Sequence, residues 1–211
     1  MSLIKKRLLK NKAIFVLGFF LLSTIYSKAQ EDNSYNYEQY YHGFAFNEGV
    51  YLTFEDFKDN FPRITSGIEG RGGDLFIWND SLEKMIPVYP NKVWGYSQSG
   101  NVYVSMEDGF WRIINIGSLS QFSAIVLTRF VTTDQFGFPV EQYSKNMKQL
   151  FLDMNNGNYY ELTAKNLRPY IESEPLLEER FKKMRRVKDR ELIMMLKAYN
   201  ELHPLYFPIR E

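Results

Sequence analysis

The chain contains 211 residues, with 15 tyrosines, 17 phenylalanines and 3 tryptophans, but no cysteine and only 2 histidines. Without cysteine it cannot form a disulfide, a thiolate nucleophile or a cysteine-ligated zinc or iron–sulfur site, and two histidines cannot supply a three-histidine metal site. Hydrophobic residues make up 45% of the chain, against 13 glycines and 8 prolines, which excludes the collagen-like and disordered classes. The composition therefore predicts a globular protein of about one domain and indicates no cofactor.

Residues 1–29 have the three-part pattern of a signal peptide. Five basic residues between Lys5 and Lys12 precede an apolar stretch of ten residues, and Ser27 and Ala29 supply the small-x-small pattern that signal peptidase accepts. A membrane-spanning helix needs roughly 20 apolar residues, so the stretch favours a signal peptide over an uncleaved anchor or a buried core helix. We therefore expect a periplasmic or secreted protein with no stable membrane anchor after cleavage.

Removal of the signal peptide changes the charge balance. The precursor has 26 basic and 25 acidic residues, but six of the basic residues and none of the acids lie in residues 1–29. The mature chain therefore has 20 basic and 25 acidic residues, a formal charge of −5. A mildly acidic exported chain has no general attraction to nucleic acid or anionic lipid, and export separates it from ATP and NAD. We therefore expect no nucleic-acid partner.

The first mature segments predict a linker, a strand, a short helix and a loop. Residues 30–42 are polar, acidic and rich in tyrosine, which predicts a flexible linker whose tyrosines can dock on the domain or on a partner. A short strand begins at Gly49, and Thr53 is suited to cap a helix that ends before Pro62. The glycine-rich segment 66–74 is followed by a strand rather than a helix, so it predicts a solvent loop rather than a phosphate cradle.

Residues 43–162 predict a β-rich domain. Apolar segments rich in Val, Ile, Phe, Tyr and Trp are separated by short turn signals, which favours an antiparallel meander. The segment 122–131 is long enough to bend across two sheets or around a barrel corner, and 135–144 is predicted to be a longer loop. The predicted strands are 75–78, 85–89, 92–96, 102–106, 110–116, 122–131, 148–154 and 158–162.

Residues 163–204 change to a helical pattern. Thr163 is predicted to cap a short turn through Leu167, and apolar residues recur at spacings of three and four over the rest of the segment, which is typical of helix docked by one face. This segment can be one helix or two helices broken near 186–189, and 205–211 is predicted to be a tail. The fold class is therefore α+β: a mainly antiparallel sheet, as an open barrel or a sandwich, with C-terminal helices packed on it.

Three short patterns resemble known sites but predict structural roles. Residues 95–100 nearly spell a nucleophile elbow, but the second glycine comes one residue late and a strand follows, so a hairpin turn is expected. Residues 153–158 are oxygen-rich like a calcium loop, but no glutamate stands at the twelfth position, which again favours a turn. His203 lies at the predicted end of the last helix, where a histidine interacts with exposed carbonyls. No metal site or catalytic constellation is predicted.

Charged residues give no distinct site. Seven of the eleven residues in 180–190 are basic, but nearby acids predict a solvated helix face, with an acidic partner or a surface polysaccharide as the alternative. Two carboxylates can hydrolyse a glycoside only if the fold brings them together. The acids in predicted loops or helix ends are Asp56, Asp74, Asp80, Glu107, Asp108, Asp134 and Glu141.

Three segments resemble an uncharacterised family of exported proteins from Bacteroidetes-type bacteria. Gly49–Pro62 is similar to the family's G-x-Y-x-T/S-x-E-x-F opening, and Trp94–Tyr103 is similar to its W-G…N-x-Y hairpin. Leu162–Pro204 is similar to its closing helix, with the sequence Tyr-Asn-Glu at 199–201. The resemblance touches most of residues 49–204. It implies export and this architecture, and it supplies no catalytic residues.

The many aromatic residues, together with the lack of a catalytic pattern, favour a non-catalytic interaction module that binds an envelope protein or a glycan. Burial of these aromatics in the core is the alternative explanation. Trp78, Trp94 and Trp111 are the candidate contact surface. A second hypothesis is an exported hydrolase that uses paired carboxylates, and a third is a homodimer formed through the C-terminal helix.

Overall fold

The computed structural model describes residues 36–184 and 188–209. The predicted signal peptide lies outside the described residues. Within these two ranges, no helix combines the length and the apolar character that crossing a membrane requires. The described chain forms antiparallel sheets followed by C-terminal helices, which confirms the predicted α+β class.

The strands and helices follow one another in the order that the turn signals suggest. In chain order, the described strands are β1 (Asn36–Gln39), β2 (Gly49–Tyr51), β3 (Ile68–Arg71), β4 (Asp74–Asn79), β5 (Lys84–Val88), β6 (Gly95–Gln98), β7 (Asn101–Met106), β8 (Gly109–Asn115), β9 (Leu119–Thr133), β10 (Pro139–Asp153), β11 (Tyr159–Glu161) and β12 (Tyr206–Ile209). The described α-helices are α1 (Phe54–Lys58), α2 (Ala164–Glu172), α3 (Pro175–Lys182) and α4 (Asp189–Leu202).

A seven-stranded antiparallel sheet is the centre of the fold. From β6 to β11 each strand pairs with its neighbour in the chain, and β2 is added beside β6. The sheet is open, with β2 and β11 as its edge strands. A smaller sheet contains β3, β4 and β5, and β1 pairs with β12. The short connections therefore produce the meander that the sequence predicts.

One face of the central sheet buries an aromatic core. Alternate residues along a strand point to opposite faces, and on this face Val102, Val104 and Phe122 pack together. Helix α1 covers them, and its Phe57 stacks on Trp94 with ring centroids 4.3 Å apart. The loop before β2 and strand β12 complete the layer with Phe44, Phe46 and Phe207.

The opposite face is covered by two different layers. Beneath β6 and β8, Tyr96 and Phe110 cluster with Leu75 of the small sheet. Beneath β9 and β10, Leu119 and Phe151 cluster with the apolar stripe of α2, α3 and α4. The C-terminal helices therefore pack on the sheet by one face, as their three- and four-residue spacing predicts.

A capping box at Thr53 fixes the start of helix α1. Thr53 Oγ1 accepts a hydrogen bond from the N–H of Asp56, and the Asp56 carboxylate accepts one from the N–H of Thr53, which is a capping box. Arg63 Nε donates to the same carboxylate at 2.7 Å. Burial alone would raise the pKa of Asp56, but the hydrogen bonds from Arg63 and Thr53 outweigh it and lower the pKa. The predicted cap at Thr53 is confirmed.

The C-terminal segment contains two helices after α2. Helix α3 ends at Lys182 and α4 begins at Asp189, which confirms the alternative of two helices. Thr163 caps α2 as predicted, since its hydroxyl accepts a hydrogen bond from the N–H of Asn166 at 3.2 Å. Helix α2 is longer than the predicted turn, because Ile171 in its last turn is buried against the sheet.

Both predicted ends of the domain contain strands. Residues 36–39, within the predicted linker, form β1, and residues 206–209, within the predicted tail, form β12. Tyr40 packs on Phe207, which is fully buried. The polar composition of β1 and the shortness and proline of β12 gave no strand signal, because tertiary contacts rather than alternation stabilise both strands.

Two segments predicted as loops contain strands. Within 66–74, Ile68–Arg71 forms β3, and it lies so close to the central sheet that a Cβ on Gly70 would be 2.8 Å from Cζ of Tyr96. The role of the glycine is therefore to let β3 approach the Tyr96 ring closely, not to make the segment mobile. Within 135–144, residues from Pro139 onward belong to β10, which pairs with β9 along its whole length.

Candidate functional site

Strands β9 and β10 continue beyond the central sheet as a two-stranded projection. They stay paired over fifteen residue pairs, the last of which is Thr133 opposite Pro139. Strand β8 pairs with β9 only as far as Phe122, and β11 pairs with β10 only from Leu150. Residues 128–144, which we call the arm, are exposed at nearly every position. At about 3.3 Å per residue, the arm is roughly 20 Å long.

Asp134 organises the turn at the tip of the arm. Its Oδ1 accepts hydrogen bonds from the N–H groups of Phe136 and Phe138, both at 2.9 Å. Its own N–H donates to the carbonyl of Phe138, and Gly137 adopts a φ of +83° that other residues rarely adopt. The turn is therefore held in one conformation by side-chain and backbone hydrogen bonds.

Large apolar side chains at the tip lie in solvent. Phe136 is 74% exposed and Phe138 is 66% exposed. Three further side chains flank the turn on the two strands. Several large exposed apolar side chains around one turn mark an interaction site more often than a solitary exposed leucine does. We call this group the tip patch; it contains Phe130, Val131, Phe136, Phe138 and Val140, on the turn and on both faces of the hairpin beside it.

A cavity of about 230 Å³ lies at the base of the arm. Ile125 and Leu127 of β9 form one wall, and Trp111 of β8 forms part of another. The Trp111 Nε1–H donates to the carbonyl of Met106 at 3.0 Å, which fixes the ring. The cavity is therefore an apolar recess that lies next to the arm.

The rim of this cavity carries charges of both signs. Asp74, Glu107 and Asp108 line it, as does Lys145. The Lys145 Nζ lies 3.8 Å from the Asp108 carboxylate, and both side chains are largely exposed. An exposed pair of this kind contributes little stability, so a ligand or partner can replace it at small cost.

The structure separates the three tryptophans that the sequence singles out. Trp94 is only 9% exposed and belongs to the core cluster with Phe57. Trp78 is 48% exposed on β4 of the small sheet. Trp111 lines the cavity at the base of the arm. Trp111 is therefore the only one of the three that lines this cavity, and a shared contact surface of all three stays a prediction.

Three of the seven acids considered for paired-carboxylate chemistry share a location. Asp74, Glu107 and Asp108 line the cavity at the arm base and also an adjoining one of about 490 Å³. Asp56 is engaged in its capping box, and Asp134 holds the tip turn. Within the described residues, no group of acidic and histidine side chains is arranged to hold a metal ion.

The patterns that resembled catalytic or metal motifs have structural roles. Residues 95–100 form the β6–β7 hairpin, with Ser97 buried in β6. Asp153 closes the β10–β11 turn and accepts a hydrogen bond from the Tyr170 hydroxyl at 2.9 Å. Burial raises the pKa of Tyr170, and its hydrogen bond to Asp153 raises it further. Both predictions of a hairpin turn are confirmed.

His203 also has a structural role at the C-terminal end of α4. Its ring stacks on Tyr199 and lies 2.8 Å from a carboxylate oxygen of Glu174. In the basic segment 180–190, Lys183 pairs with Glu179 at 2.6 Å and Lys182 pairs with Glu178. These pairs agree with a solvated helix face. The remainder of that segment is only partly described.

The arm was missed because its sequence has two features of a loop. The tip contains Gln135 and Gly137, and Pro139 follows two residues after the glycine, a combination that is typical of loops. The signal that could have identified it is the segment 125–133, in which six of nine residues are β-branched, followed by a short Asp-x-x-Gly turn. Such a run favours one long strand over a bend between two sheets.

Comparison with known proteins gives no relative from which a role could be carried over: no family model, no curated protein and no solved structure matches this chain.

Proposed function

We propose that the protein is an exported, non-catalytic binding module that docks on an envelope protein through the tip patch. The observation that carries the proposal is the exposure of Phe136 and Phe138 on a turn that Asp134 holds in place. Aromatic side chains held in one conformation bury much apolar area at small entropic cost, and they are common energetic centres of protein interfaces.

Export supports the choice of partner. The signal-peptide pattern of residues 1–29 and the resemblance to exported bacterial proteins suggest the periplasm or the cell surface as the compartment. The docking partner is then an envelope protein with an apolar groove. The cavity at the arm base, where Trp111 and Lys145 lie, provides further contacts at the opposite end of the arm from the tip.

The chemistry of the arm favours a protein over a lipid surface. Segments that bind anionic membranes combine apolar side chains with a basic rim. Around the tip patch the charges are mixed instead: Arg129 pairs with Glu141, and Asp134 is the acid at the turn. The convex shape also disfavours a glycan, because small ligands bind mainly in concave sites.

Capture from a native envelope extract tests the proposal. Immobilised mature protein is compared with a variant in which Phe136 and Phe138 are both replaced by Ser. We expect a discrete envelope protein to be retained by the wild type and lost from this variant. A matched control replaces Tyr89, an equally exposed aromatic outside the arm, by Ser and should retain the partner.

Two results would contradict the proposal. One is retention of the same protein by the wild type and the double tip variant, because the tip patch would then be dispensable. The other is binding of wild-type protein to protein-free lipid vesicles that the tip variant no longer shows. That result would assign the tip patch to a membrane surface instead.

A further inference from the structure

The outer edge of β10 is free along most of the arm. From Pro139 to Met147, β10 pairs only with β9 among the residues that the structure describes. Pairing with β11 begins at Leu150, and the Leu162 N–H donates to the carbonyl of Gln149 at 2.8 Å. A segment of nine residues therefore presents unpaired backbone groups, and β11 limits it at one end.

The hydrogen-bonding phase of the edge follows from the turn. The Asp134 N–H donates to the carbonyl of Phe138, so this pair is hydrogen-bonded between the two strands. Antiparallel pairs alternate between hydrogen-bonded and non-hydrogen-bonded. Residues 139, 141, 143, 145 and 147 therefore direct their backbone groups away from β9. The outward carbonyl of Gln149 has the same phase.

We propose that a second copy of this chain pairs with this edge, strand β10 against strand β10, in an antiparallel and two-fold symmetric dimer. The free edge is centred on Tyr143. Pairing about that residue places Tyr143 opposite its own copy, and Pro139 opposite Met147 of the partner subunit. The pairing uses all nine free residues and stops where β11 begins.

Charge complementarity selects this occupant and this register. The same two-fold places Glu141 of each copy directly opposite Lys145 of the other, so two opposite-charge pairs form across the interface. Such cross-strand pairs stabilise antiparallel sheets, whereas like charges directly opposite destabilise them. The facing Tyr143 side chains add an aromatic pair. The odd-numbered residues all direct their backbone groups outward, as a pairing about Tyr143 requires, and Pro139 contributes only its carbonyl because proline has no N–H.

The free edge of β9 does not offer the same self-complementarity. Between residues 124 and 133, Arg129 is the only charged residue, so a copy of β9 cannot supply a carboxylate opposite it. A dimer through β10 leaves Phe136 and Phe138 outside the paired segment and does not depend on their role. It also differs from a homodimer formed through the C-terminal helix.

Disulfide trapping tests the proposal cleanly because the chain has no cysteine. Opposed residues of a hydrogen-bonded antiparallel pair have Cα atoms about 5.5 Å apart, within the range of a disulfide. We expect Tyr143→Cys to give a covalent dimer under mild oxidation. Arg129 lies opposite Tyr143 on β9, and its backbone groups point to the other edge of the hairpin. Arg129→Cys should therefore stay monomeric. Equal cross-linking of the two variants would overturn the proposal.

Charge reversal provides a second test that does not require a new bond. Glu141→Lys and Lys145→Glu each place like charges across the interface, and each should weaken self-association at least tenfold by analytical ultracentrifugation. An equimolar mixture of the two variants restores both opposite-charge pairs, and it should form the mixed dimer. The proposal is overturned if the wild-type chain remains monomeric at all concentrations, or if the mixture associates no more tightly than either variant alone.

Discussion

The two halves of the β9–β10 hairpin share one register but lie in opposite environments. At the inner end, Phe122 and Leu152 are fully buried in the aromatic core, and Phe151 is fully buried against the helices. At the outer end, Phe136 and Phe138 on the turn are largely exposed. Strand pairing is continuous between them. Burial along the hairpin is therefore decided by the layers that flank it, not by pairing.

The inner half is also fixed by polar contacts to the helices. Asn200 of α4 accepts a hydrogen bond from the Leu119 N–H at 2.8 Å and donates one to the Leu119 carbonyl at 2.9 Å. Ser118 donates from its hydroxyl to the carbonyl of His203 at 2.6 Å. The polar contacts of the outer half are local, such as the turn at Asp134 and the pair of Arg129 with Glu141. One hairpin can therefore combine a structural anchor with a surface available for binding.

The largest difference should appear when an aromatic ring is removed from each half. Phe151→Ala deletes a buried ring that packs on Tyr160 and Tyr170, and it should lower the free energy of unfolding by about 3 to 5 kcal/mol. Phe136→Ala should change it by less than about 0.5 kcal/mol. Urea unfolding monitored by circular dichroism measures both. Similar losses of unfolding free energy in the two variants would show that the two halves of the hairpin do not differ in their contribution to stability.

A smaller effect is expected from the clamp between α4 and β9. Asn200→Ala removes both hydrogen bonds to the backbone of Leu119 and should cost about 1 to 3 kcal/mol of unfolding free energy. Glu201→Ala, at the exposed neighbouring position, is the control and should be near neutral. Urea midpoints compare the two. A neutral Asn200→Ala would show that apolar packing alone fixes the inner half.

The pH dependence of stability should come from the anchored part of the molecule. The pKa of Asp56 is lowered in the folded state, so its contribution is present above the unfolded pKa of about 3.9 and is lost as the pH falls through the lower, folded value. Asp56→Asn should be less stable at neutral pH and lose less on acidification. Urea midpoints between about pH 2 and 6 test this. If wild type and variant lose the same amount of stability on acidification, Asp56 is not a source of the pH dependence.

The smallest effect on stability, but a clear local one, is expected at the tip. Asp134→Ala removes the acceptor for the N–H groups of Phe136 and Phe138. Amide hydrogen exchange at these two residues should accelerate, while the free energy of unfolding changes by less than about 0.5 kcal/mol. Thr133→Ala is the control next to the turn. Unchanged exchange in Asp134→Ala would show that the backbone alone holds the turn.

Short sequence patterns predicted most helices and strands, but not which of their residues are buried and which are exposed. Thr53 and Thr163 identify helix starts because capping depends on residues within one turn. The segment that contains Gly70 was predicted as a solvent loop, because the reason for the glycine is the ring of Tyr96, which is distant in the chain. The sequence cannot predict which of Trp94 and Trp78 is the more exposed, since burial depends on which layer covers each strand.

Composition, spacing and turn chemistry by themselves determined the α+β class, the meander, the helix caps and the exclusion of cysteine chemistry. These depend on contacts within a few residues or on residue counts. Tertiary structure alone decided that the outer part of β9–β10 is an arm, that Phe136 and Phe138 are exposed, and that Trp111 and three acids line the same cavity at the base of the arm. The physical reason is that exposure is set by neighbouring layers, and those layers come from distant parts of the chain.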